Sequence, residues 1–439
     1  MSCYHGESIR RSLLLLSLLF AGSLQGNWPQ WRGPNLTGAA PAAHDLPVTW
    51  SETENVVWRT KLPSWGASTP IIWENTIFIS TSEEGFVDPK AAVTTSVPGK
   101  IFLLAINRKD GSIRWRKQID GGNQQFTAKQ NAASASPITD GKHVWTMTSN
   151  GRMTCLTMDG AEVWTRDIQA DYGKFGLWGG YGSTPLMHGE RLYVQVLHGY
   201  RTSDPSYILA VDRKTGKTVW RIERPTDAVR ESHDSYGTPQ IVTVDGVAQL
   251  VIAGGDYVTG HDLESGKELW RIGGFNPTND PANRTIGSAL TSGGYVFFSA
   301  SRSRTFIGFR AGGSGNITGK AELWTNSFGA DIPTPTTDGK YIYSISDRGV
   351  MNCFEVETGN VAYKGQRIAV GTFSASPLLA DGKIYVTDED GTTTILKAGP
   401  VFEVLGTAKL DGFTLASPVA VDNQIFIRTG EYLYCIQKR

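Results

Sequence analysis

The chain has 439 residues, including 50 glycines, 42 basic side chains and 42 acidic side chains. Glycine stands above its usual share of about 7% and charged residues stand below theirs of about 25%, which excludes a coiled coil and a long charged disordered tail. Because the charges balance, no excess of positive side chains exists to bind a polyanion, and nucleic acid is not an expected partner.

Residues 1–26 have the layout of a cleaved secretory signal. Arg10 and Arg11 precede an apolar run at residues 13–21, and small residues follow that run. The run is too short to span a bilayer, and no cysteine follows it to accept a lipid. The sequence therefore predicts an exported protein, periplasmic or secreted, with no membrane span and no lipid anchor. The paired arginines leave the general secretory and twin-arginine routes open, and residues 27–49 form an N-terminal extension.

A Ser/Thr-Pro dipeptide recurs through the rest of the chain at a spacing of about 50 residues, the period of propeller blades or of solenoid repeats. We call the last residue of each copy a repeat mark; the fifth copy has alanine in place of proline. The marks are Pro70, Pro137, Pro185, Pro239, Ala289, Pro335, Pro377 and Pro418. This regularity predicts one repetitive domain at residues 50–439.

Each mark opens the same pattern of apolar runs and turns. A short apolar run leads through a two-residue turn, such as Asp140-Gly141, into a second run, and these turn residues tolerate the positive φ of tight hairpins. A third run contains a small residue, and a glycine turn then leads to an aromatic residue. The small residues are Ala105, Cys155, Ala210, Gly260, Gly308, Cys353 and Cys435, and the aromatic residues are Trp115, Trp164, Trp220, Trp270 and Trp324, with Tyr363 and Phe402 as weaker copies. The pattern predicts eight four-stranded antiparallel blades.

The aromatic residues are expected to fill the space between neighbouring blades, since each tryptophan buries on the order of 200 Å². The cysteines share their position with alanine and glycine, so we expect tight packing rather than a disulfide or zinc site. Only 21 residues follow Pro418, enough for three strands, whereas Trp58 precedes the first mark within an apolar run. We therefore predict an all-β, eight-bladed β-propeller whose ring is closed by an N-terminal strand in the last blade.

The Ser/Thr-Pro start, the closing tryptophan and the Asp-x-x-Thr/Ser-Gly turns at residues 212–216 and 262–266 resemble the PQQ-like β-propeller repeat family. That family includes eight-bladed quinoprotein dehydrogenases and the BamB-type propeller subunit of outer-membrane assembly. Residues 27–34 are similar to the mature start of exported propellers of this type. The resemblance covers residues 50–437 and implies a fold rather than one activity.

Two departures from the quinoprotein pattern bear on function. No two cysteines are adjacent, and no acidic and amide set matches a calcium site; the lipid-accepting cysteine of the BamB-type subunit is also absent. No hydrolase, metalloprotease or nucleotide motif is present. We therefore expect an exported, monomeric, non-catalytic propeller without cofactor or metal that binds a protein or glycan partner. The alternatives are a divergent oxidoreductase using PQQ with calcium, and a structural ring in a larger assembly.

A binding site is expected on one end of the ring. In a meander, the loops between strands two and three and between blades share one face, and here they are the long, varied segments, which we call the long-loop face. The other connections form the tight-turn face. The candidate ligand-face residues are Trp65, Lys174, Trp178, Tyr181, Arg201, Glu231, His233, Asp234, Tyr236, Arg302 and Arg304.

Three of these candidates form the most suggestive cluster. His233 lies beside Glu231 and Asp234 in the sequence, and a histidine near carboxylates can act as a general base or metal ligand. A hydrophilic surface loop is the other interpretation of this cluster.

The remaining candidates also have two interpretations each. Trp178 and Tyr181 stack on a sugar or flat cofactor, or else pack over the channel mouth. Arg302 and Arg304 bind an anionic group near the channel, or else form surface salt bridges.

Overall fold

The structure is a computed structural model that describes residues 26–83, 99–122, 125–300 and 302–439. Within these residues, eight antiparallel sheets form a propeller, and each sheet is a four-stranded meander. The predicted fold class is confirmed. The predicted signal lies outside the described residues except for its last position.

Each blade consists of four strands in the order of the meander. Blade 1 contains Ile71–Trp73, Thr76–Ser82, Lys100–Asn107 and Ile113–Gly121; blade 2 contains Ile138–Thr139, His143–Met147, Arg152–Thr157 and Glu162–Asp167; blade 3 contains Leu186–His188, Arg191–Val196, Tyr207–Asp212 and Thr218–Glu223; blade 4 contains Gln240–Val244, Val247–Gly254, Tyr257–Asp262 and Glu268–Ile272. Blade 5 contains Leu290–Ser292, Tyr295–Ala300, Thr305–Arg310 and Glu322–Asn326; blade 6 contains Thr336–Thr337, Tyr341–Ile345, Val350–Glu355 and Val361–Arg367; blade 7 contains Leu378–Ala380, Lys383–Thr387, Thr392–Lys397 and Val404–Lys409; blade 8 contains Val419–Val421, Gln424–Arg428, Tyr432–Gln437 and Val56–Lys61.

A few short elements add to the meanders. Ala39–Ala40 pairs in parallel with the first strand of blade 7, and Gly315–Asn316 pairs in parallel with the last strand of blade 4. A small hairpin of Gln125–Thr127 and Gln130–Asn131 joins blades 1 and 2. The described residues also include an α-helix, Ile168–Tyr172, and a 3-10 turn, Arg230–His233. No helix in the described ranges is long and apolar enough to cross a membrane.

The Ser/Thr-Pro marks link the blades around the channel. Before seven of the eight marks, the Ser or Thr side chain accepts a hydrogen bond from the backbone N–H of its counterpart in the preceding blade, at 2.8 to 3.2 Å. The accepting side chains are Ser136, Thr184, Thr238, Ser288, Thr334, Ser376 and Ser417. Proline is tolerated next to them because the first strand is an edge of its sheet, where a missing N–H breaks no ladder bond.

Tryptophans join neighbouring blades near the tight-turn face. At five joints in the described chain, the indole Nε1 donates to the carbonyl one residue beyond the third strand of the next blade, at 2.9 to 3.1 Å. These pairs are Trp58 and Arg108, Trp115 and Met158, Trp164 and Arg213, Trp220 and Leu263, and Trp324 and Val356. Each ring also covers the glycine of that turn, where an added Cβ would lie 2.3 to 3.1 Å from the ring. These five tryptophans therefore pack between neighbouring blades.

Trp270 fills the joint between blades 4 and 5 in a different way. Its Nε1 donates to Gln249 within its own blade at 2.7 Å, and its ring meets Phe309 of blade 5 edge-on at 5.9 Å. The usual turn is replaced because the connection in blade 5 is long and adds Gly315–Asn316 beside Trp270. The packing role is therefore kept without the repeated hydrogen bond.

Blade 7 reverses the pairing of small and large residues. Elsewhere a small residue on strand three faces an aromatic residue on strand four, as with Cys155 and Trp164, whereas blade 7 pairs Ile395 with Gly406. The prediction that Phe402 is the aromatic residue of this blade is wrong, because it precedes the fourth strand. The space over Gly406 is filled by the N-terminal segment: an added Cβ there would lie 2.2 Å from the carbonyl oxygen of Val48.

The three described cysteines occupy the small-residue position on the third strand of their blades, as expected. Cys155, Cys353 and Cys435 are free and buried, and burial raises the pKa of each thiol to about 12. A buried thiol with so high a pKa is a packing group and not a nucleophile.

The ring closes where the sequence predicts. Val56–Lys61 pairs antiparallel with Tyr432–Gln437, and Trp58 faces Cys435 across the two strands. The two ends of the propeller domain therefore share one sheet, which removes an exposed edge from each partner.

The N-terminal extension crosses the tight-turn end of the channel. Trp28 pairs with Ile72 of blade 1, and the carbonyl of Pro29 accepts a hydrogen bond from blade 2. The buried guanidinium of Arg32 donates to the carbonyls of Pro335 and Pro377, on blades 6 and 7. The segment thus runs from one side of the ring to the other and covers that end of the channel.

Candidate functional site

The central channel forms a cavity of about 490 Å³. Trp31, carried by the N-terminal extension, lines its tight-turn end. Trp178, which is 42% exposed, lines the long-loop end. The cavity is therefore entered from the long-loop face and ends at Trp31.

Two rings of side chains form the cavity wall. The first ring is made of the seven Ser and Thr side chains that accept bonds between the marks. The second ring stands two residues earlier in each blade, because residues i and i−2 of an extended segment face the same side. This second ring consists of Ala67, Ser134, Gly182, Tyr236, Ile286, Ile332, Ser374 and Leu415.

Lys129 and Arg284 are the cationic side chains in the lining. Lys129 Nζ lies 2.6 Å from Glu389 Oε1, and Arg284 lies 3.3 Å from Glu231 and 3.6 Å from Asp331. Those carboxylates do not belong to the lining, and no carboxylate or histidine among the described residues lines the cavity. The wall therefore presents hydrogen-bond donors, positive charge and apolar surface.

Asp234 holds the aromatic side of the mouth in place. This fully buried carboxylate accepts backbone N–H bonds from Trp178 at 2.7 Å, Gly199 at 3.1 Å and Tyr200 at 3.2 Å. Burial raises the pKa of Asp234 to about 6, and the three N–H donors oppose that rise. The residue acts as a structural anchor that joins two long loops.

The cluster of Glu231, His233 and Asp234 does not converge on a common point. Glu231 pairs with Arg284, Asp234 bonds backbone groups, and the ring of His233 packs over Gly199, where an added Cβ would lie 2.5 Å from it. Burial lowers the pKa of His233. Within the described ranges, no group of three or more His, Cys, Asp or Glu side chains is placed to hold a metal ion.

The remaining predicted residues divide into buried and exposed groups. Trp65 and Tyr181 are each 1% exposed and pack against Phe413 and Phe175 respectively, at 6.0 and 4.8 Å between ring centroids. Four basic residues are exposed and stand outside the cavity lining: Lys174, Arg201, Arg302 and Arg304.

Of the predicted residues, the structure thus brings Trp178 and Tyr236 together in the cavity lining, with Glu231 and Asp234 directly behind them. Sequence reasoning missed Trp31, Lys129 and Arg284. The signal that could have found part of the wall is the position two residues before each repeated Ser or Thr, which selects Tyr236, Ile286, Ile332 and Leu415.

The lining does not fit a calcium-bound quinone. Calcium takes about six to eight oxygen ligands, with carboxylates prominent among them. The side-chain oxygens on the described wall are hydroxyls and one amide, that of Gln130, with no carboxylate among them. The cavity therefore lacks the donor set that calcium would need.

Comparison with protein families agrees with this architecture. The family model described as outer membrane protein assembly factor BamB matches residues 103–365 and 316–400. The chain belongs to this family of PQQ-like propellers.

Individual relatives are distant. A quinohemoprotein alcohol dehydrogenase, ADH-IIG of Pseudomonas putida, is 30% identical over 140 residues, which is 28% of this chain and 16% of that protein. The match thus spans about a sixth of the relative's length. Among solved structures, BamB from Moraxella catarrhalis superposes with a TM-score of 0.59 at 16% identity, covering 87% of this chain and 99% of that one. Quinohemoprotein alcohol dehydrogenase from Comamonas testosteroni gives 0.63 at 10% identity, covering 94% and 80%. These likenesses show the fold.

Proposed function

We propose that the protein is an exported, non-catalytic propeller that binds a protein partner through its long-loop face. The observation that carries the proposal is a set of large apolar side chains exposed there. Trp178 is 42% exposed, Tyr200 is 38% exposed and Val370 is 90% exposed. Exposed aromatic residues around a concave opening are typical of interaction surfaces.

The aromatic part of this surface is held rigidly. Asp234 accepts hydrogen bonds from the backbones of both Trp178 and Tyr200, so the two residues keep their relative position before any partner arrives. An ordered aromatic pair loses little conformational entropy on binding, and such residues often dominate interface energies. The family description, an assembly factor, favours a protein over a glycan as partner.

Site-specific photo-crosslinking in the source cells tests the proposal. A photoreactive residue at position 178 or 370 is expected to form an adduct with a discrete protein. Position 247 is the matched control, because Val247 is 60% exposed but lies next to a hairpin turn on the tight-turn face. Equal adducts at position 247, or none at 178 and 370, would contradict the proposal.

Export is a separate part of the proposal, and it rests on residues 1–26. Of these, residues 1–25 lie outside the described chain. N-terminal sequencing of the protein from the cell envelope or medium should begin close to Asn27. A full-length chain in the cytoplasmic fraction would contradict export.

The alternative is a PQQ- and calcium-dependent oxidoreductase, favoured by the 30% identical stretch shared with ADH-IIG. The carboxylate ligands that a calcium ion would need are not found in the described cavity lining. Titration calorimetry with PQQ, with and without calcium, separates the two functions. We expect no saturable heat; saturable binding together with dye reduction would establish the enzyme and overturn the non-catalytic proposal.

A further inference from the structure

The seven repeated Ser and Thr hydroxyls of the channel accept hydrogen bonds but have no acceptor for their own protons among the described residues. Each accepts an N–H from the neighbouring blade, but none donates its own proton to an acceptor in the described chain. All seven side chains are at most 9% exposed. All seven line the open cavity, so their protons are available to bond an occupant there, and the channel favours an occupant rich in acceptor oxygens.

The rest of the lining narrows the chemistry of that occupant. Lys129 and Arg284 add cationic N–H donors to the wall, each paired with a carboxylate, while Ile286, Ile332 and Leu415 supply apolar surface. The carboxylate partners of the two cations stand outside the lining. The complement is a group with an apolar body and a negatively charged, acceptor-rich tip.

The shape of the channel indicates a chain end. Because Trp31 lines the tight-turn end, an occupant that enters from the long-loop face must stop inside. A cavity of about 490 Å³ lies within the range of about 300–1,000 Å³ that holds small ligands. It therefore has room for a few residues but not for a chain that continues through the ring.

We infer that the channel binds the C-terminal end of a partner polypeptide, with an apolar last residue and a free α-carboxylate. This inference rests on the proposed function and specifies the part of the partner that enters the channel. Backbone carbonyls and the carboxylate accept the hydroxyl protons, and the last side chain packs against the apolar wall.

Calorimetry on the mature chain tests the inference with acetylated tetrapeptides. Three peptides, Ala-Ala-Ala-Leu, Ala-Ala-Ala-Phe and Ala-Ala-Ala-Val, are each measured as the free acid and as the C-terminal amide. We expect at least one acid to bind. Its amide should have an affinity lower by about tenfold or more, because the carboxylate makes charge-assisted hydrogen bonds. Failure of all three acids to bind at millimolar concentration would overturn the inference, as would equal affinity of acid and amide.

Two variants locate the binding site. Ala67→Phe fills the cavity wall and should abolish binding, whereas Ala161→Phe, at an exposed turn of blade 2, should leave the affinity unchanged. Thr334→Val is the second variant, in case Ala67→Phe fails to fold. It removes one hydroxyl at nearly constant volume and should weaken binding several-fold. Unchanged affinity in a folded Ala67→Phe or Thr334→Val protein would contradict the inference.

Two further measurements separate this inference from its alternatives. Glutarate binding as tightly as the best peptide would show a small-anion site and overturn the chain-end inference. Crosslinking at position 178 that persists while peptides fail would overturn the channel inference alone; loss of crosslinking at both 178 and 370 would overturn the proposed function as well.

Discussion

The two ends of the propeller join their blades by different means. At the tight-turn end, the same contact between an indole N–H and a turn carbonyl recurs at five joints of the described chain. At the long-loop end, the contacts made by the connecting loops themselves differ from joint to joint. Asp234 ties together three backbone groups, Asp347 accepts N–H bonds from Asp331 and Ile332, and Lys129 reaches Glu389 on blade 7.

This contrast shows which parts of the fold are constrained. The tryptophan contacts use strand and tight-turn residues, whose positions are fixed by the repeat, so one solution serves several joints. The long-loop contacts use connecting segments, which differ in length and can carry a binding surface without disturbing the ring. We therefore expect substitutions at the tight-turn end to affect stability most and those at the long-loop end to affect recognition.

Removing the closing strand should have the largest effect. A chain that starts at residue 62 lacks Trp58, the fourth strand of blade 8 and the N-terminal extension that covers the tight-turn end of the channel. We expect its free energy of unfolding to fall by more than about 5 kcal/mol, enough to prevent cooperative folding. Trp58→Ala alone should cost about 3–5 kcal/mol. Thermal melting and urea unfolding measure both. A truncated chain with an unchanged melting temperature would contradict closure as the source of stability.

A pair of glycines tests the tryptophan joints. Gly266 and Gly246 both have positive φ, +75° and +81°, so alanine at either should cost about 1–2 kcal/mol in backbone strain. At Gly266 the new Cβ would also lie 2.7 Å from the ring of Trp220, whereas nothing lies within 4 Å at Gly246. We expect Gly266→Ala to be less stable than Gly246→Ala by a further 1–3 kcal/mol or so in urea unfolding. Equal losses would show that the ring moves aside freely.

Much of the ring could be predicted because its contacts repeat with the sequence. The small position of Cys155 and the aromatic position of Trp164 are each repeated in other blades, so a single weak signal becomes a strong one. The prediction for Phe402 is wrong because blade 7 exchanges its large and small residues, and its joint is filled by Val48 from a non-repeated segment.

The site could be predicted only in part. Trp178 and Tyr236 lie where the long loops suggest, but Tyr181 and Trp65 turn inward to pack. The positions of Lys129 and Arg284 depend on loop conformation and on carboxylates far along the chain, for which the repeat gives no information.

At the long-loop end, Asp234 should make stability depend on pH. Its pKa is raised from 3.8 to about 6 in the folded chain, so between about pH 4 and 6 the folded protein binds more protons than the unfolded one. Stability from this group must then fall as pH rises. The free energy of unfolding of the wild type, relative to Asp234→Asn, should decrease by about 1–3 kcal/mol from pH 4 to pH 7.

Urea unfolding of both proteins at several pH values measures this slope. The variant is needed because burial also raises the pKa of Asp347 and Asp388, which titrate in the same direction in both proteins. If the stability of the wild type relative to Asp234→Asn instead increased with pH, burial would not raise the pKa of Asp234.

The smallest effect is expected from the ion pair at the mouth. Lys129 and Glu389 are 38% and 16% exposed and join the hairpin between blades 1 and 2 to blade 7, so Lys129→Gln should lower stability by about 0.5–1 kcal/mol. Lys397→Gln is the control, since Lys397 and Glu403 are 59% and 47% exposed and belong to one blade. That substitution should change nothing measurable, because an exposed local pair is screened and joins no separate elements. If the two variants are equally stable in low and high salt, contacts across the mouth add nothing to the ring, and the long-loop end is held by its backbone hydrogen bonds alone.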